Sequence, residues 1–359
     1  MKAAIKVFLV EDSPIALNIL QRVLTSSLDI EVVGTATNGI SALKQIPVVK
    51  PDVVCTDILM GKMDGLELTK KLMAEFPLPI LVISDVVTEN HTEKIGELLE
   101  AGAVDVFPKP RTGFIEDYQK QQQDLICKLK ILAGVRVFTK RNYSFNSAIE
   151  KPLYESDFKT KPVAIEGKSD RKYQIIAIGV STGGPKAIQE ITKNLPANFP
   201  IPIVCTQHIS IGFLDSLISW LSSSIKLKVK VAEINETPRS GTFYFAPEKY
   251  HLEIDSSGNF CYSQSSPINN HRPSATIMMH SVAKFYGSSA IGILLTGMGK
   301  DGVLGMQEIY RCGGLTIAQD AASSVIFGMP QEAIKLGIVR QVLPLKKIAP
   351  FLLERVQNK

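Results

Sequence analysis

The sequence predicts an α/β protein with two doubly wound parallel-sheet domains. The chain of 359 residues is longer than chains that usually fold around a single hydrophobic core. In both halves, short β-branched apolar runs alternate with stretches of helical periodicity, as in parallel-sheet folds. These runs contain almost no polar residues, which is typical of strands covered on both faces. With 45% apolar and 21% charged residues, the composition is that of an ordinary globular protein.

The first domain is predicted to span residues 1–111. Ser13 followed by Pro14 marks a helix start, and the apolar spacing continues that helix to Thr25. Five apolar runs predict the strands: Ile5–Val10, Ile30–Ala36, Val53–Thr56, Ile80–Ile83 and Val104–Phe107.

A helix and a linker are predicted to occupy residues 112–172. The helix spans roughly Phe114 to Leu132. Val135 to Lys172 has no sustained period and is rich in Lys, Ser, Asn and Pro. Its cations could dock an acidic partner, but a solvated tether is the favoured interpretation.

The second domain is predicted to span residues 173–359. Three further short runs predict a small antiparallel excursion: Thr242–Ala246, His251–Ile254 and Phe260–Ser263. Helices are predicted over Gly212–Leu221, Ser274–Tyr286 and Gly302–Arg311. Strands are predicted at Ile175–Gly179, Ile203–Gln207, Val229–Glu233, Ile291–Leu295 and Leu315–Gln319.

Several function classes are disfavoured by composition. No apolar run approaches the roughly 20 residues of a membrane span, and we expect a cytoplasmic protein. The net charge of +5 is not gathered into a basic stripe, so no nucleic-acid partner is expected. The five cysteines are scattered and odd in number, which predicts reduced and mostly buried thiols.

Acidic and basic side chains cluster at the predicted strand ends of the first domain. Glu11 and Asp12 end the first strand, and Asp57 follows the third. Ser84 and Lys109 follow the fourth and fifth strands. Converging carboxylates favour a hard divalent cation such as Mg²⁺, and the hydroxyl and ammonium suit a phosphoryl group. Each acid alone could be a helix cap, but the set predicts phosphorylation of Asp57.

The second domain begins with a strand that runs into a glycine-rich turn. Gly179, Ser181 and Gly183 have the spacing of a nucleophile elbow. A dinucleotide-binding turn is the competing interpretation, but Ser181 occupies its middle glycine position and the next strand lacks a ribose-binding acid.

Two more strand ends supply the partners that a serine nucleophile requires. His208 follows the second strand of this domain, and Asp301 lies in a glycine-rich loop after a third. A serine hydroxyl needs a base, and that base needs an orienting carboxylate. Ser181, His208 and Asp301 therefore predict a hydrolase, although Asp301 could be a simple helix N-cap. His251 is a second candidate base, and Met278 and Met279 are expected in the core.

The first domain resembles the response-regulator receiver family in the residues named above, in the Met63-Asp64-Gly65 segment and in Lys109-Pro110. The resemblance implies a flavodoxin-like fold with Asp57 as phosphoacceptor and Ser84 and Lys109 as the switch pair. It also implies Mg²⁺ held by Glu11, Asp12, Asp57 and the Leu59 carbonyl. The sequence departs from the family at Gly61, Asp85 and Val106, the last where an aromatic switch residue is common.

The second domain resembles the catalytic domain of the CheB protein-glutamate methylesterases. The shared motifs include the Ser181 turn, Gln207-His208, Arg272-Pro273-Ser274 and the segment from Thr296 to Gly302. The resemblance implies a Ser181, His208 and Asp301 triad, with the Met298 amide as an oxyanion donor and no cofactor in this domain. Thr276 and Lys300 are departures on the presumed substrate face.

The two resemblances together imply a phosphorylation-activated hydrolase in a two-component chemotaxis system. We expect it to demethylate glutamate methyl esters, and to deamidate glutamines, on methyl-accepting chemotaxis receptors. The histidine kinase of the same array is the expected phosphodonor, and a monomer is expected. Three alternatives stay open: a receiver-controlled esterase for another substrate, a phosphorylation-dependent binding protein without turnover, and a dinucleotide enzyme.

Overall fold

A computed structural model describes residues 3–85, 92–110, 115–135 and 173–357. Most of the predicted linker, residues 136–172, lies outside the described residues, as does Phe114. The fold consists of two parallel sheets with helices on both faces, one in each predicted domain.

The first sheet has five strands in the order β2-β1-β3-β4-β5, and every neighbouring pair is parallel. This is the flavodoxin-like order that the receiver resemblance implies. Its strands β1 to β5 are Ile5–Val10, Ile30–Ala36, Val53–Thr56, Ile80–Ser84 and Asp105–Pro108. Its helices α1 to α5 are Pro14–Thr25, Gly39–Val49, Gly65–Glu75, Thr92–Ala101 and Ile115–Leu132.

The second sheet has seven parallel strands in the order β14-β13-β12-β6-β7-β9-β8. A separate antiparallel hairpin is formed by β10 and β11. Strands β6 to β14 are Ile175–Val180, Ile203–Gln207, Lys228–Val231, Thr242–Phe245, His251–Ile254, Phe260–Ser263, Ala290–Leu294, Leu315–Gln319 and Gln341–Leu343. Helices α6 to α11 are Gly184–Thr192, Leu214–Ser224, Ala275–Tyr286, Val303–Arg311, Met329–Lys335 and Leu345–Gln357.

One strand prediction for this domain was wrong. Thr242–Phe245 is not part of the antiparallel excursion but an inner parallel strand of the main sheet, between β7 and β8. All four of its residues are buried, as expected of a strand covered on both faces. The hairpin of His251–Ile254 with Phe260–Ser263 is antiparallel, as predicted.

Each face of the seven-stranded sheet is covered by apolar side chains, and those on one face include Met278 and Met279 of α8. The cysteines are free, but the prediction that most are buried was wrong: Cys55 and Cys205 are buried, Cys127 and Cys312 are exposed and Cys261 is intermediate. Among the described residues, no helix combines the length and apolar character needed to cross a membrane.

Candidate active site and acidic pocket

Ser181, His208 and Asp301 are brought to one edge of the second sheet by three adjacent strands. Ser181 directly follows the central strand β6, His208 follows β7 on one side, and Asp301 lies beyond β12 on the other. Backbone hydrogen bonds hold these strand ends together: His208 N donates to Val180 O at 2.9 Å, and Ser181 N donates to Thr296 O at 3.0 Å. The three predicted triad residues therefore share one site.

Asp301 is bound by the N-terminus of α8 and does not cap α9, the helix that it precedes. Its carboxylate accepts hydrogen bonds from Ser274 Oγ at 2.6 Å, from Ala275 N at 2.7 Å and from Thr276 N at 3.2 Å. Burial alone would raise the pKa of Asp301, but the hydrogen bonds from His208, Ser274 and Ala275 outweigh it and hold this pKa well below its usual range. Asp301 is thus an ionised carboxylate with a fixed orientation.

The Asp301 carboxylate also fixes the tautomer of His208. His208 Nε2 lies 2.8 Å from Asp301 Oδ2. Since an ionised carboxylate only accepts hydrogen bonds, Nε2 carries the proton and Nδ1 keeps its lone pair. Nδ1 is buried and has no hydrogen-bond partner among the described residues, Ser181 included. Nδ1 is therefore the atom that can accept a proton. The hydrogen bond between a catalytic base and its nucleophile often shortens only when substrate binds.

The turn that carries Ser181 is tightly packed, which explains its glycines. Gly183 has φ +78°. A Cβ on Gly184 would lie 2.0 Å from Gln207 Oε1, and a Cβ on Gly297 would lie 2.7 Å from the Ser181 Cβ. The Gln207 side chain donates to the carbonyl oxygens of Ser181 and His208, at 2.9 Å each, and so links the turn to the loop after β7.

The Met298 amide follows the glycine that packs on Ser181. Gly297 N donates to Ile326 O at 3.0 Å, and Gly297 O accepts from Gly328 N and Met329 N. In contrast, the Met298 amide makes no hydrogen bond within the described part of the chain. A fixed loop thus presents an unused backbone donor one residue beyond the contact with Ser181.

Two further side chains contact the triad, and sequence reasoning did not single out either of them as a site residue. His271 stacks on His208, with ring centroids 3.7 Å apart and an interplanar angle of 5°. Ser274 caps α8 and donates to Asp301. The motif Arg272-Pro273-Ser274 was noted, but only the folded chain shows that its serine reaches a carboxylate 27 residues away.

His251 and Thr276 have structural roles in this arrangement. His251 is completely buried, its Nδ1 accepts from Ser274 N at 3.1 Å, and its Nε2 lies 3.3 Å from Ser266 O. It has no free nitrogen with which to act as the second candidate base. Thr276 Oγ1 accepts from Gly302 N at 2.7 Å, so this departure from the family pattern ties α8 to the Asp301 loop.

A depression of about 410 Å³ adjoins the triad. His271 and Asp301 form part of its wall, and Asn269, Lys300 and Glu332 surround it.

The first domain has an acidic pocket at the carboxyl edge of its sheet. Carboxylate oxygens of Glu11, Asp12 and Asp57 all lie within 4.8 Å of one another. Lys109 Nζ lies 2.8 Å from Asp57 Oδ2 and 2.9 Å from Glu11 Oε2. Ser84 is buried at the end of β4, and its carbonyl accepts from Lys109 N at 2.8 Å.

The charges of this pocket fit a divalent cation. Three carboxylates face one ammonium, and burial raises the pKa of both Glu11 and Asp57 despite their hydrogen bonds to Lys109. Burial also acts to lower the pKa of Lys109, but its hydrogen bonds to Asp57 and Glu11 outweigh that and raise it. The excess negative charge and the oxygen donors are those that Mg²⁺ prefers. Asp85, the departure that could oppose an incoming phosphoryl group, is exposed at the end of β4.

The receiver packs on the second domain beside the active site. Helix α4 contacts α7, where Trp220 Nε1 donates to Glu100 Oε1 at 3.2 Å and a Cβ on Gly96 would lie 2.2 Å from the Trp220 ring. Phe213, from the loop that follows His208, is completely buried in a cluster of receiver side chains that includes Ile58, Val82 and Val106. Two residues near the Met298 loop, Val325 and Ile326, pack against receiver residues too.

Fold and sites together define a receiver domain joined to an α/β domain with a serine, histidine and aspartate constellation. Two protein-family models match this combination of domains. The family model for the response regulator receiver domain matches residues 7–114, and the model for the CheB methylesterase matches residues 176–352.

Relatives match along the full chain. A protein-glutamate methylesterase/protein-glutamine glutaminase of Syntrophus aciditrophicus is 38% identical over 353 residues, covering 98% of each chain. Another of the same name from Carboxydothermus hydrogenoformans is 42% identical over 349 residues, covering 96% of this chain and 97% of its own. The chain belongs to the CheB family of protein-glutamate methylesterases with a receiver domain.

A solved structure supports the fold of the second domain. The catalytic domain of the CheB methylesterase of Thermotoga maritima is 42% identical and has a TM-score of 0.50. The match covers 51% of this chain and 98% of that structure.

Proposed function

We propose that this protein removes methyl groups from glutamate methyl esters on chemotaxis receptors and deamidates receptor glutamines, under control of phosphorylation at Asp57. The observation that carries the proposal is the placement of Ser181, His208 and Asp301 at three adjacent strand ends, with His208 Nε2 bonded to Asp301 Oδ2 at 2.8 Å. The names of the full-length relatives give the substrate class.

The proposed reaction uses the free nitrogen of His208. The Ser181 hydroxyl attacks the γ-carbonyl carbon of the glutamyl ester while its proton moves to His208 Nδ1. The Met298 amide stabilises the oxyanion. When the carbon–oxygen bond to the methoxy group breaks, His208 returns the proton and methanol leaves. A water molecule, deprotonated by His208, then releases the glutamate carboxylate and restores Ser181. With a glutamine substrate, ammonia leaves in place of methanol.

The regulatory half of the proposal rests on the acidic pocket. Asp57 accepts the phosphoryl group, and Ser84 and Lys109 bind its oxygens as the switch pair. Glu11, Asp12, Asp57 and the Leu59 carbonyl would hold Mg²⁺, which supplies neutralising positive charge during phosphoryl transfer. We assign residues 1–111 to the receiver, 112–172 to the helix and linker, and 173–359 to the esterase.

The contacts between the domains support a covering role for the receiver. Phe213 lies five positions after His208 in the sequence and is buried among receiver residues that include Ile58, which follows Asp57 directly. A change at Asp57 can therefore reach the active-site loop through packed side chains. In the proposed inactive state, the receiver limits access of a receptor helix to Ser181.

The proposed partners follow from the two domains. A receiver takes its phosphoryl group from a histidine kinase, and the esterase acts on methyl-accepting receptors in the cytoplasm. Neither nucleic acid nor a partner subunit enters the proposal.

Methanol release from methylated receptor membranes tests the substrate assignment. We expect release with the wild type and none with Ser181→Ala. The matched control is Ser256→Ala, which alters an exposed serine in the turn between β10 and β11 and should match the wild type. Covalent labelling of Ser181 by an activated phosphonate without methanol release would favour an esterase for another substrate.

A further inference from the structure

The imidazole of His271 covers one face of the His208 ring. The two rings are nearly parallel, at 5°, and their centroids are 3.7 Å apart. At this distance the rings are in van der Waals contact, so His208 cannot tilt towards His271. Asp301 fixes one edge of the His208 ring and His271 fixes its plane.

His271 itself is held by a short, rigid turn. Ile268 and His271 exchange both backbone hydrogen bonds, at 2.9 and 3.1 Å. Between them, Asn269 and Asn270 have φ values of +50° and +67°, the left-handed conformation that two-residue turns of type I′ require and that asparagine tolerates well. This turn brings the ring of His271 over His208.

The residues that follow this turn are also held by hydrogen bonds. The Arg272 guanidinium donates to the carbonyl oxygens of Gln264 and Ser265, at 3.1 and 3.4 Å. Ser274 donates through its amide to His251 and through its hydroxyl to Asp301. The segment that follows His271 is therefore bonded to Asp301 through Ser274, and the two supports of His208 are coupled.

The surroundings of His271 favour the uncharged form of its ring. Burial, followed by the proximity of His208, lowers the pKa of His271 to about 4, and the other charged groups that act on it are Asp301 and Lys128. A neutral ring adds no charge repulsion when His208 accepts the serine proton, and its π face attracts the imidazolium that forms.

We propose that His271 is a positioning residue for the Ser181 reaction, which holds the His208 ring in the plane set by Asp301 and stabilises its protonated form. The inference rests on the proposed function, because it assigns His271 a role in that reaction. It predicts that the reaction requires a planar aromatic ring at position 271 and does not require the ionisable nitrogens of that ring.

Substitutions that keep or remove the ring separate these contributions. We expect His271→Ala to lower kcat by about 10- to 100-fold with KM changed less than about 2-fold, because the chemical step loses orientation and the substrate contacts remain. His271→Phe should restore kcat to within about 5-fold of the wild type. His280→Ala, which alters an exposed histidine of α8, is the control and should match the wild type.

The contrary result is a folded His271→Ala protein with wild-type kcat, or a His271→Phe protein as slow as His271→Ala. Melting temperatures of the variants identify any loss of kcat that comes from unfolding.

A second readout separates this inference from the substrate assignment. The rate at which an activated phosphonate labels Ser181 depends on the same proton transfer from the serine hydroxyl to His208, and the labelling requires no receptor. It should fall in His271→Ala and recover in His271→Phe even if receptors prove not to be the substrate. If the wild type fails to react with the phosphonate, the proposed function fails. The inference is then tested by hydrogen exchange at C2 of His208, which must be faster in His271→Ala than in the wild type.

Discussion

At the residue scale, the active site depends on how the Asp301 carboxylate is held. Four donors surround it: the His208 ring and three groups at the start of α8. The sequence predicted Ser181, His208 and Asp301 because strand ends of a parallel sheet meet at one edge. It could not predict Ser274 or His271, because their contacts depend on a turn and a helix start whose approach is set by tertiary packing.

The hydroxyl of Ser274 provides a first test. Ser274→Ala removes the 2.6 Å hydrogen bond to Asp301 and a cap of α8, and we expect a loss of about 1–3 kcal/mol in stability and a roughly 10-fold lower kcat. Because the pKa of Asp301 is lowered, its bonds stabilise the fold at neutral pH, and this contribution is lost only as pH falls through that lowered value.

Ser281→Ala is the matched control for that experiment. Ser281 is also buried on α8 and its hydroxyl accepts from Ile254 N at 2.9 Å, away from the triad. It should lose similar stability in urea denaturation while kcat is unchanged. Equal kcat values for the two variants would show that the Ser274 hydroxyl does not contribute to the reaction.

The acidic pocket gives a prediction about metal and pH. The pKa of Glu11 and of Asp57 is raised, so their contribution to stability is present at low pH and is lost as pH rises through the raised values. Mg²⁺ should therefore raise the melting temperature of the protein by a few degrees at about pH 7.5 and by less at about pH 5.

Asp12→Asn should abolish most of this Mg²⁺ effect, because it removes one of the three clustered carboxylates. Glu31→Gln, at an exposed position of β2, should retain it. A Mg²⁺ shift that is the same in both variants would place the ion elsewhere.

At the element scale, most strands were predicted because parallel strands are continuous apolar runs. The misassigned Thr242–Phe245 shows the limit of that reasoning: its short length and nearby turns favoured a hairpin, while its complete burial reflects a place between two other strands. The interface of α4 with α7 was not predictable from the sequence. A glycine such as Gly96 or a tryptophan such as Trp220 within a helix does not by itself indicate a contact with another domain.

That interface gives a prediction about control. Val106 occupies the position of the usual aromatic switch residue, and Phe213 of the other domain packs in the same cluster. We expect Phe213→Ala to raise methanol release without phosphodonor several-fold and to reduce the further increase on phosphorylation, because the receiver is held less tightly.

Gly96→Ala changes the same interface from the receiver side. The added Cβ would meet the Trp220 ring at 2.2 Å, so this variant should show the same rise with an untouched catalytic domain. Gly61→Ala is the matched control, since a Cβ there meets nothing within 4 Å. If both interface variants leave the basal rate unchanged, the interface does not restrain the enzyme.

At the scale of the whole molecule, the acidic pocket of the receiver and the active site of the second domain are connected by packed side chains. In the receiver, Ile58 of the interface cluster follows Asp57 directly, and in the second domain Phe213 of the same cluster lies on the loop that follows His208. The relation between the two domains was beyond sequence reasoning, because the predicted linker has no periodicity and the contacts that join the domains come from residues far apart in the chain.

The most direct test is methanol release from methylated receptors by the wild type and Asp57→Asn, each with and without Mg²⁺ and a small-molecule phosphodonor. The account predicts that the wild-type rate rises with the phosphodonor only when Mg²⁺ is present, and that Asp57→Asn keeps a basal rate that does not respond. A phosphodonor response that persists in Asp57→Asn, or a wild type that releases no methanol under any condition, would contradict it.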